Sequence, residues 1–166
     1  MLVIAESFKD LRFSELLQVY EQSNLEAASE RKNLPPMFAL QLAEQDFRQY
    51  LQDLFFKTPG AICCLWEENG RYVSALRLEP YRDGLLLAAL ETAPSYRKMG
   101  YAVDLIRAVQ HHLAETGAVK LYSHVNKKNA ASMRTHEKCG FRVVSDCAVY
   151  ISGSMDYRSC TLLYEC

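Results

Sequence analysis

Several features that would assign this 166-residue chain to a special class are missing from it. No apolar stretch reaches the roughly 18 residues that a membrane-spanning helix needs, and no run of basic residues exceeds two. With a formal net charge of −1, neither nucleic acid nor a membrane is expected as the main partner. The first residues show no basic segment before an apolar run, which predicts a cytoplasmic protein without a signal peptide.

Cysteine is present, but not in a pattern that indicates bridges or a metal site. Of the six cysteines, Cys63 and Cys64 are adjacent, and no two stand in a Cys-x-x-Cys arrangement. Reduced, mostly buried thiols are therefore expected. His136 and Cys139 could form half of a metal site, but no second pair has ligand spacing, so the sequence predicts no bound metal.

The composition favours one domain with a substantial core. Hydrophobic residues make up 49% of the chain and charged residues 23%, a balance typical of globular proteins rather than disordered ones. No repeat, linker or low-complexity segment interrupts the sequence. Residues 1–166 are therefore expected to form a single domain.

Apolar patterning predicts a mixed α/β layout in the order β-α-α-β-β-β-α-β-α-β-β. A first helix begins at Asp10 or Ser14, and a polar segment from Asn24 ends at Pro35-Pro36, which no helix should cross. A second helix ends at Pro59-Gly60. The strands are expected at Leu2–Ala5, Ala61–Trp66, Tyr72–Leu78, Leu85–Thr92, Val119–Val125, Phe141–Val144 and Cys160–Tyr164.

The most informative segment of the chain runs from Leu90 to Ala102, at the end of the apolar run that begins at Leu85. An apolar strand is followed there by a turn with Pro94, a short basic segment and an amphipathic helix that Gly117 can cap. The free backbone N–H groups at the start of that helix point to one place, beside the charges of Arg97 and Lys98. Because the N–H groups and the helix dipole both favour negative charge, the segment predicts a diphosphate site.

Two motifs resemble those of the GNAT family of N-acetyltransferases. The segment from Arg97 to Ala102 reads Arg-x-x-Gly-x-Ala, similar to the family's pyrophosphate loop. On a later helix, the positions of the second family signature are held by Asn129, Ser132, His136, Gly140 and Phe141. The element order is also similar along nearly the whole chain. The resemblance implies the acyl-CoA N-acyltransferase fold, with a mixed central sheet of about seven strands and helices on both faces.

The same resemblance implies acetyl-CoA as acyl donor and a primary amine of a small molecule or peptide as acceptor. It implies that the backbone of Leu90 and Thr92 pairs with the pantetheine arm, as a missing strand would. The amides from Lys98 to Ala102 would hold the pyrophosphate. The residues implied at the cofactor are Leu90, Thr92, Arg97, Lys98, Met99, Gly100, Tyr101, Ala102, Asn129 and Ser132. Asn129 can also be a plain helix N-cap, and the two roles are compatible.

The chain departs from the family pattern at His136, where many members carry a tyrosine thought to protonate the departing thiolate. An imidazolium can perform that step, so the resemblance implies His136 as the acid. A histidine that only packs in the core is the alternative.

The chain also departs from the family pattern at the general base for the attacking amine. Leu86 and Ala88 stand where several relatives keep a Glu or His. In the resembling ribosomal-protein acetyltransferases a Glu lies on the next strand, where this chain has His124. His124 is therefore the candidate base, directly or through a water, with Glu79 and Glu91 in reserve. A surface histidine is the alternative.

Two functions remain open from the sequence. The first is an enzyme in which the amine attacks acetyl-CoA directly, and the second is a non-catalytic acyl-CoA-binding sensor or regulatory module. Acceptor specificity is expected in the segments Asn24–Met37 and Tyr150–Ser159. Analogy with the fold adds the expectation of a homodimer through the late strands.

Overall fold

The computed structural model describes residues 1–117 and 120–165. The strands are β1 (Leu2–Ala5), β2 (Ile62–Glu68), β3 (Arg71–Tyr81), β4 (Gly84–Thr92), β5 (Lys120–Asn126), β6 (Arg142–Ser145), β7 (Ala148–Val149), β8 (Met155–Asp156) and β9 (Ser159–Glu165). Seven of them form one mixed sheet in the order β1-β2-β3-β4-β5-β9-β6, and β7 pairs with β8 in a separate hairpin. The predicted sheet of about seven strands is confirmed.

Helices cover both faces of the sheet. They are α1 (Phe13–Val19), α2 (Glu21–Ser29), α3 (Pro36–Asp53), α4 (Tyr101–Thr116) and α5 (Ala130–Lys138). One core forms where α4 and α5 pack on the central strands, and a second where α1 and α3 pack on β1 to β3. Within the described ranges, no helix is both long and apolar enough to cross a bilayer. Opposite α5, the face of β4, β5 and β9 carries the β7–β8 hairpin.

Some predicted boundaries are wrong. The first predicted helix is two helices, because the backbone leaves helical geometry at Tyr20, whose buried hydroxyl donates to the Ala89 carbonyl 2.7 Å away. The second of them ends at Ser29, within the polar segment and before Pro35-Pro36. Strand β3 runs past its predicted end through Pro80. Its pairing with β2 stops at Leu78, so the missing proline N–H breaks no bond there.

The remaining differences lie in the last third of the chain. The β7–β8 hairpin lies between the last two predicted strands, where the sequence predicts none, since strands of two residues are too short to show alternation. Of the strand predicted over Val119–Val125, residue 119 lies outside the described residues, and the rest belongs to β5.

The site is created by the way β4 and β5 separate. The two strands are parallel and pair only where residues 85–87 face residues 121–123. Close approach there requires Gly84, because a Cβ would collide with the Lys120 carbonyl. Farther along, β4 has two residues, Ala89 and Leu90, opposite one residue of β3, and Ala89 has a φ of +51°. Among the described residues, β4 has no partner on its β5 side from residue 88 to 92, and a wedge opens that we call the β4–β5 gap.

Candidate active site

Two hollows meet at the β4–β5 gap. The first, the α5 cleft, has a volume of about 190 Å³ and is lined by Ser123, Asn129, Ser132 and His136 together with the facing parts of β4 and β5. The second, the hairpin cavity, has a volume of about 400 Å³ and lies below the β7–β8 hairpin. Leu87, Ala88, Ala89 and His124 line both hollows. A molecule in the gap would therefore contact groups from both sides of the sheet.

His136 lies on the inner face of α5 with 2% of its surface exposed. Its Nδ1 is 2.8 Å from the Ser132 carbonyl oxygen, and its Nε2 is 2.9 Å from Ser123 Oγ. The carbonyl can only accept, so Nδ1 carries the proton, and Nε2 of the neutral ring accepts from the Ser123 hydroxyl. Burial lowers the pKa of His136, although the bond to Ser132 acts in the opposite direction. The ring is therefore neutral near pH 7.

His124 is the next residue after Ser123 and points to the other face of the sheet, as alternation in a strand requires. Its ring stands edge-on between Tyr81 and Tyr150, with both ring centroids at 5.4 Å. Its Nε2 is buried and has no hydrogen-bond partner among the described residues. Burial lowers the pKa of His124, and the nearby charge of Arg82 lowers it further. The ring of His124 also lines the hairpin cavity, so a neutral imidazole stands beside any molecule that enters it.

The loop before α4, which we call the amide loop, presents backbone amides without a described acceptor. Lys98 and Gly100 have φ values of +63° and +93°, and no side chain caps the helix that begins at Tyr101. Within the described residues, the amides from Lys98 to Ala102 find no backbone acceptor. The first that does is Val103, which donates to the Gly100 carbonyl at 2.9 Å. The side chains of Lys98 and Met99 are exposed. An anion at this place would receive several N–H donors together with the positive end of the α4 dipole.

A family model, described as the acetyltransferase (GNAT) family, matches residues 19–141, which include the β4–β5 gap, the amide loop and α5. The chain belongs to the acetyltransferase (GNAT) family. No curated protein sequence matches it significantly.

Solved structures of other GNAT proteins share the fold of this chain. PaiA N-acetyltransferase from Thermoplasma acidophilum, in complex with coenzyme A, is 12% identical with a TM-score of 0.68, covering 100% of this chain and 99% of that one. The ribosomal-protein-S18-alanine N-acetyltransferase from Escherichia coli is 16% identical with a TM-score of 0.61, covering 99% and 94%. A GNAT acetyltransferase from Elizabethkingia anophelis with acetyl-CoA bound is 14% identical with a TM-score of 0.56, covering 69% and 80%.

The other residues implied at the cofactor occupy the rim of this GNAT site. Leu90 and Thr92 lie on the part of β4 that has no described partner on the β5 side. Arg97 is exposed and donates from Nε to the Thr92 carbonyl at 3.2 Å and from Nη1 to Gln22 at 2.5 Å, so it ties the loop to β4 and α2. Asn129 caps α5 by accepting from the Ser132 amide at 3.0 Å. Their roles toward a cofactor stay predictions.

The two reserve carboxylates separate in the structure. Glu79 lines the hairpin cavity beside His124. Glu91 instead accepts a hydrogen bond from Ser23 of α2, and burial raises the pKa of Glu91. Of the pair, Glu79 is therefore the carboxylate that faces the hairpin cavity.

Sequence reasoning missed several residues of this GNAT site. Ser123 lies on the buried face of β5, between Leu121 and Val125. A polar residue in an otherwise apolar row of a strand indicates a buried hydrogen bond, so the sequence did contain a signal for it. Tyr150 and Ile151, which line the hairpin cavity, do belong to the predicted specificity segment Tyr150–Ser159, but no pattern distinguished them from the rest of it. The hydrogen bond that holds the bulge from Tyr20 spans 69 residues of sequence, so no local pattern reveals it.

Proposed function

We propose that this GNAT protein transfers an acetyl group from acetyl-CoA to the primary amine of a small molecule or peptide. The observation that carries the proposal is the β4–β5 gap, which leads to the unpaired amides before α4. The free edge of β4 suits the amides of a pantetheine arm, and the loop amides with Lys98 suit a diphosphate. The relatives with coenzyme A and acetyl-CoA bound support the same ligand.

When bound, acetyl-CoA would supply a thioester carbonyl as the electrophile. Leu90 and Thr92 would hold the pantetheine arm, and Lys98 to Ala102 would hold the diphosphate beside Arg97. Asn129 and Ser132 would contact the cofactor from the start of α5. Charge-assisted hydrogen bonds contribute roughly 1.5–3 kcal/mol each, so a few of them would give micromolar affinity, about 8 kcal/mol.

His124 would be the base that takes the proton of the acceptor ammonium, so that the amine can attack directly. An alkylammonium titrates near pH 10, so a base at the point of attack is needed. The position of the His124 ring on the wall of the hairpin cavity, with a pKa that burial lowers, supports this role. Glu79, on the wall of the same cavity, would attract the cationic acceptor.

His136 would be the acid that returns a proton to the leaving sulfur. Its Nε2 faces Ser123, so a proton on Nε2 would travel through the Ser123 hydroxyl. Burial favours the neutral ring, so the acid form is the minor one at neutral pH.

The proposal is tested by measuring thiol release from acetyl-CoA with a panel of amines that includes polyamines, aminoglycosides and peptides with free N-termini. Amine-dependent release is expected for at least one class. Tight acetyl-CoA binding without release for any amine would instead favour the non-catalytic acyl-CoA-binding module.

A further inference from the structure

Three groups stand in a row where the β4–β5 gap begins. The Ser123 hydroxyl is 2.9 Å from His136 Nε2, and His136 Nδ1 is 2.8 Å from the Ser132 carbonyl oxygen. Ser123 is the last residue of β5 that pairs with β4, opposite Leu87, so its side chain sits at the vertex of the gap. Ser123, Ser132 and His136 all line the α5 cleft.

The hydrogen bonds in this row have a defined direction. Because the Ser132 carbonyl can only accept, it fixes the proton on Nδ1 and leaves the Nε2 lone pair aimed at the Ser123 hydroxyl. A hydroxyl bonded to an imidazole whose other nitrogen is held by an acceptor is the arrangement of an activated serine nucleophile. Here a backbone carbonyl occupies the place that a carboxylate has in the Ser-His-Asp arrangement.

The neutral form of His136 is the form that can accept the Ser123 proton in the first step. Burial lowers the pKa of His136, which favours the neutral ring that can take a proton from Ser123. The T-shaped contact with Phe141, at a centroid distance of 5.1 Å, holds the ring in this orientation.

We propose that Ser123 is a nucleophile with His136 as its base, and that the protein takes acyl groups onto Ser123 Oγ and passes them to water when no amine is bound. The protein would then have a thioesterase and esterase activity in addition to N-acetylation. The inference rests on the proposed function for its natural donor, since the thioester would lie in the same gap.

The reaction has two stages, acylation of Ser123 and hydrolysis of the acyl ester. Ser123 Oγ forms a bond to the acyl carbon while its proton passes to His136 Nε2. The carbon–sulfur bond then breaks, and Nε2 returns the proton to the departing sulfur, which leaves an acyl ester on Ser123 and a free thiol. Water next attacks the ester carbon and gives a proton to Nε2. Ser123 Oγ departs with that proton, and the acyl group leaves as a carboxylic acid.

The test uses the whole chain with p-nitrophenyl acetate, an activated ester that does not need the cofactor loop. We expect a burst of nitrophenolate and one acetyl group on the peptide that contains Ser123, read by mass spectrometry after an acid quench. Ser123→Ala should abolish both signals. His136→Phe should slow labelling by about 100-fold, the lower end of what a general base contributes.

Two further variants serve as controls for the test. Ser159→Ala removes another buried serine, on the neighbouring strand β9, and should label like the unmodified protein. Ser123→Cys keeps a nucleophile at the same position and should label on the substituted side chain, which guards against the case in which Ser123→Ala fails to fold.

The outcomes separate this inference from the proposed function. Acetyl-CoA binding without any acetyl on Ser123, or equal labelling of Ser123→Ala, would overturn the inference and leave the proposed function standing. Labelling of Ser123 in a protein that does not bind acetyl-CoA would support the nucleophile and contradict the proposed function.

Discussion

One histidine lies on each face of the sheet at β5: His136, from α5, on one face and His124, of β5 itself, on the other. The two differ in how many hydrogen bonds the protein gives their ring nitrogens. On the α5 face, both ring nitrogens of His136 are hydrogen-bonded within 2.9 Å. On the hairpin face, the buried Nε2 of His124 has no partner among the described residues. Buried polar atoms are normally paired, so the two histidines stand in different environments. The protein itself satisfies His136, whereas it leaves one nitrogen of His124 without a described partner.

This contrast predicts that substitutions of the two histidines differ in their effects on turnover and on the free energy of unfolding. Loss of His124 should lower turnover without lowering stability, because its buried Nε2 has no hydrogen bond to lose among the described residues. Loss of His136 should affect turnover and folding together, because Ser123 and the Ser132 carbonyl would lose a partner.

The largest effect is expected for His124→Phe. The ring can keep its edge-on contacts with Tyr81 and Tyr150, but the base is gone, so kcat for N-acetylation should fall by about 100- to 10,000-fold. The free energy of unfolding should stay the same or rise by about 1 kcal/mol, because an unsatisfied polar atom is removed. His111→Phe, at an exposed position of α4, is the matched control for steady-state kinetics and denaturant unfolding. Unchanged turnover would exclude His124 as the base.

A smaller loss of turnover is expected for His136→Phe, by about 100-fold, with acetyl-CoA affinity within a few-fold of the unmodified protein. Two hydrogen bonds in a buried site disappear, so the free energy of unfolding should fall by about 2–3 kcal/mol. The same kinetics and unfolding experiments measure both quantities. Turnover that survives with only the stability lost would assign His136 a packing role.

The pH profile of N-acetylation sharpens the contrast further. His124 must be neutral to act as a base, whereas His136 must be protonated to act as an acid, and burial lowers the pKa of both. We therefore expect kcat to fall by about tenfold per pH unit above the pKa of His136 in the complex. Rates from pH 5 to 9 with saturating amine would test this. A level kcat up to about pH 9, beyond the titration of histidine, would contradict the acid role.

The smallest effect is expected at the β4 bulge, where Ala89 lines both the α5 cleft and the hairpin cavity. Tyr20→Phe removes the hydroxyl that donates to the Ala89 carbonyl at the β4 bulge, which should lower the free energy of unfolding by about 1 kcal/mol. The bulge borders the gap, so KM for acetyl-CoA should rise more than kcat falls. Tyr157→Phe, on the exposed surface after β8, should change neither. Equal unfolding curves for Tyr20→Phe and the control would show that the bulge does not depend on this bond.

The sequence predicted those parts of the molecule that depend on local pattern. The helix from Tyr101 to Thr116 and its cap at Gly117 follow from helical spacing and one glycine, and the structure confirms them. The opposite orientation of Ser123 and His124 follows from strand alternation. The bulge at Ala89 could not be predicted, because it depends on register with β3 and on a hydroxyl from α1's end. Likewise the Ser123–His136 bond depends on how α5 packs on β5, which a single strand or helix pattern does not specify.

The most direct test of the account is calorimetric titration with acetyl-CoA of the unmodified protein, Lys98→Glu and Lys57→Glu. Lys98 lies in the amide loop, and Lys57 follows α3, where β2 begins at the far end of the sheet. We predict micromolar binding to the unmodified protein and to Lys57→Glu, and affinity at least about tenfold weaker for Lys98→Glu, the loss of one charge-assisted contact. No binding at millimolar acetyl-CoA, or equal affinity for the two variants, would contradict the assignment of the β4–β5 gap and its loop as the cofactor site.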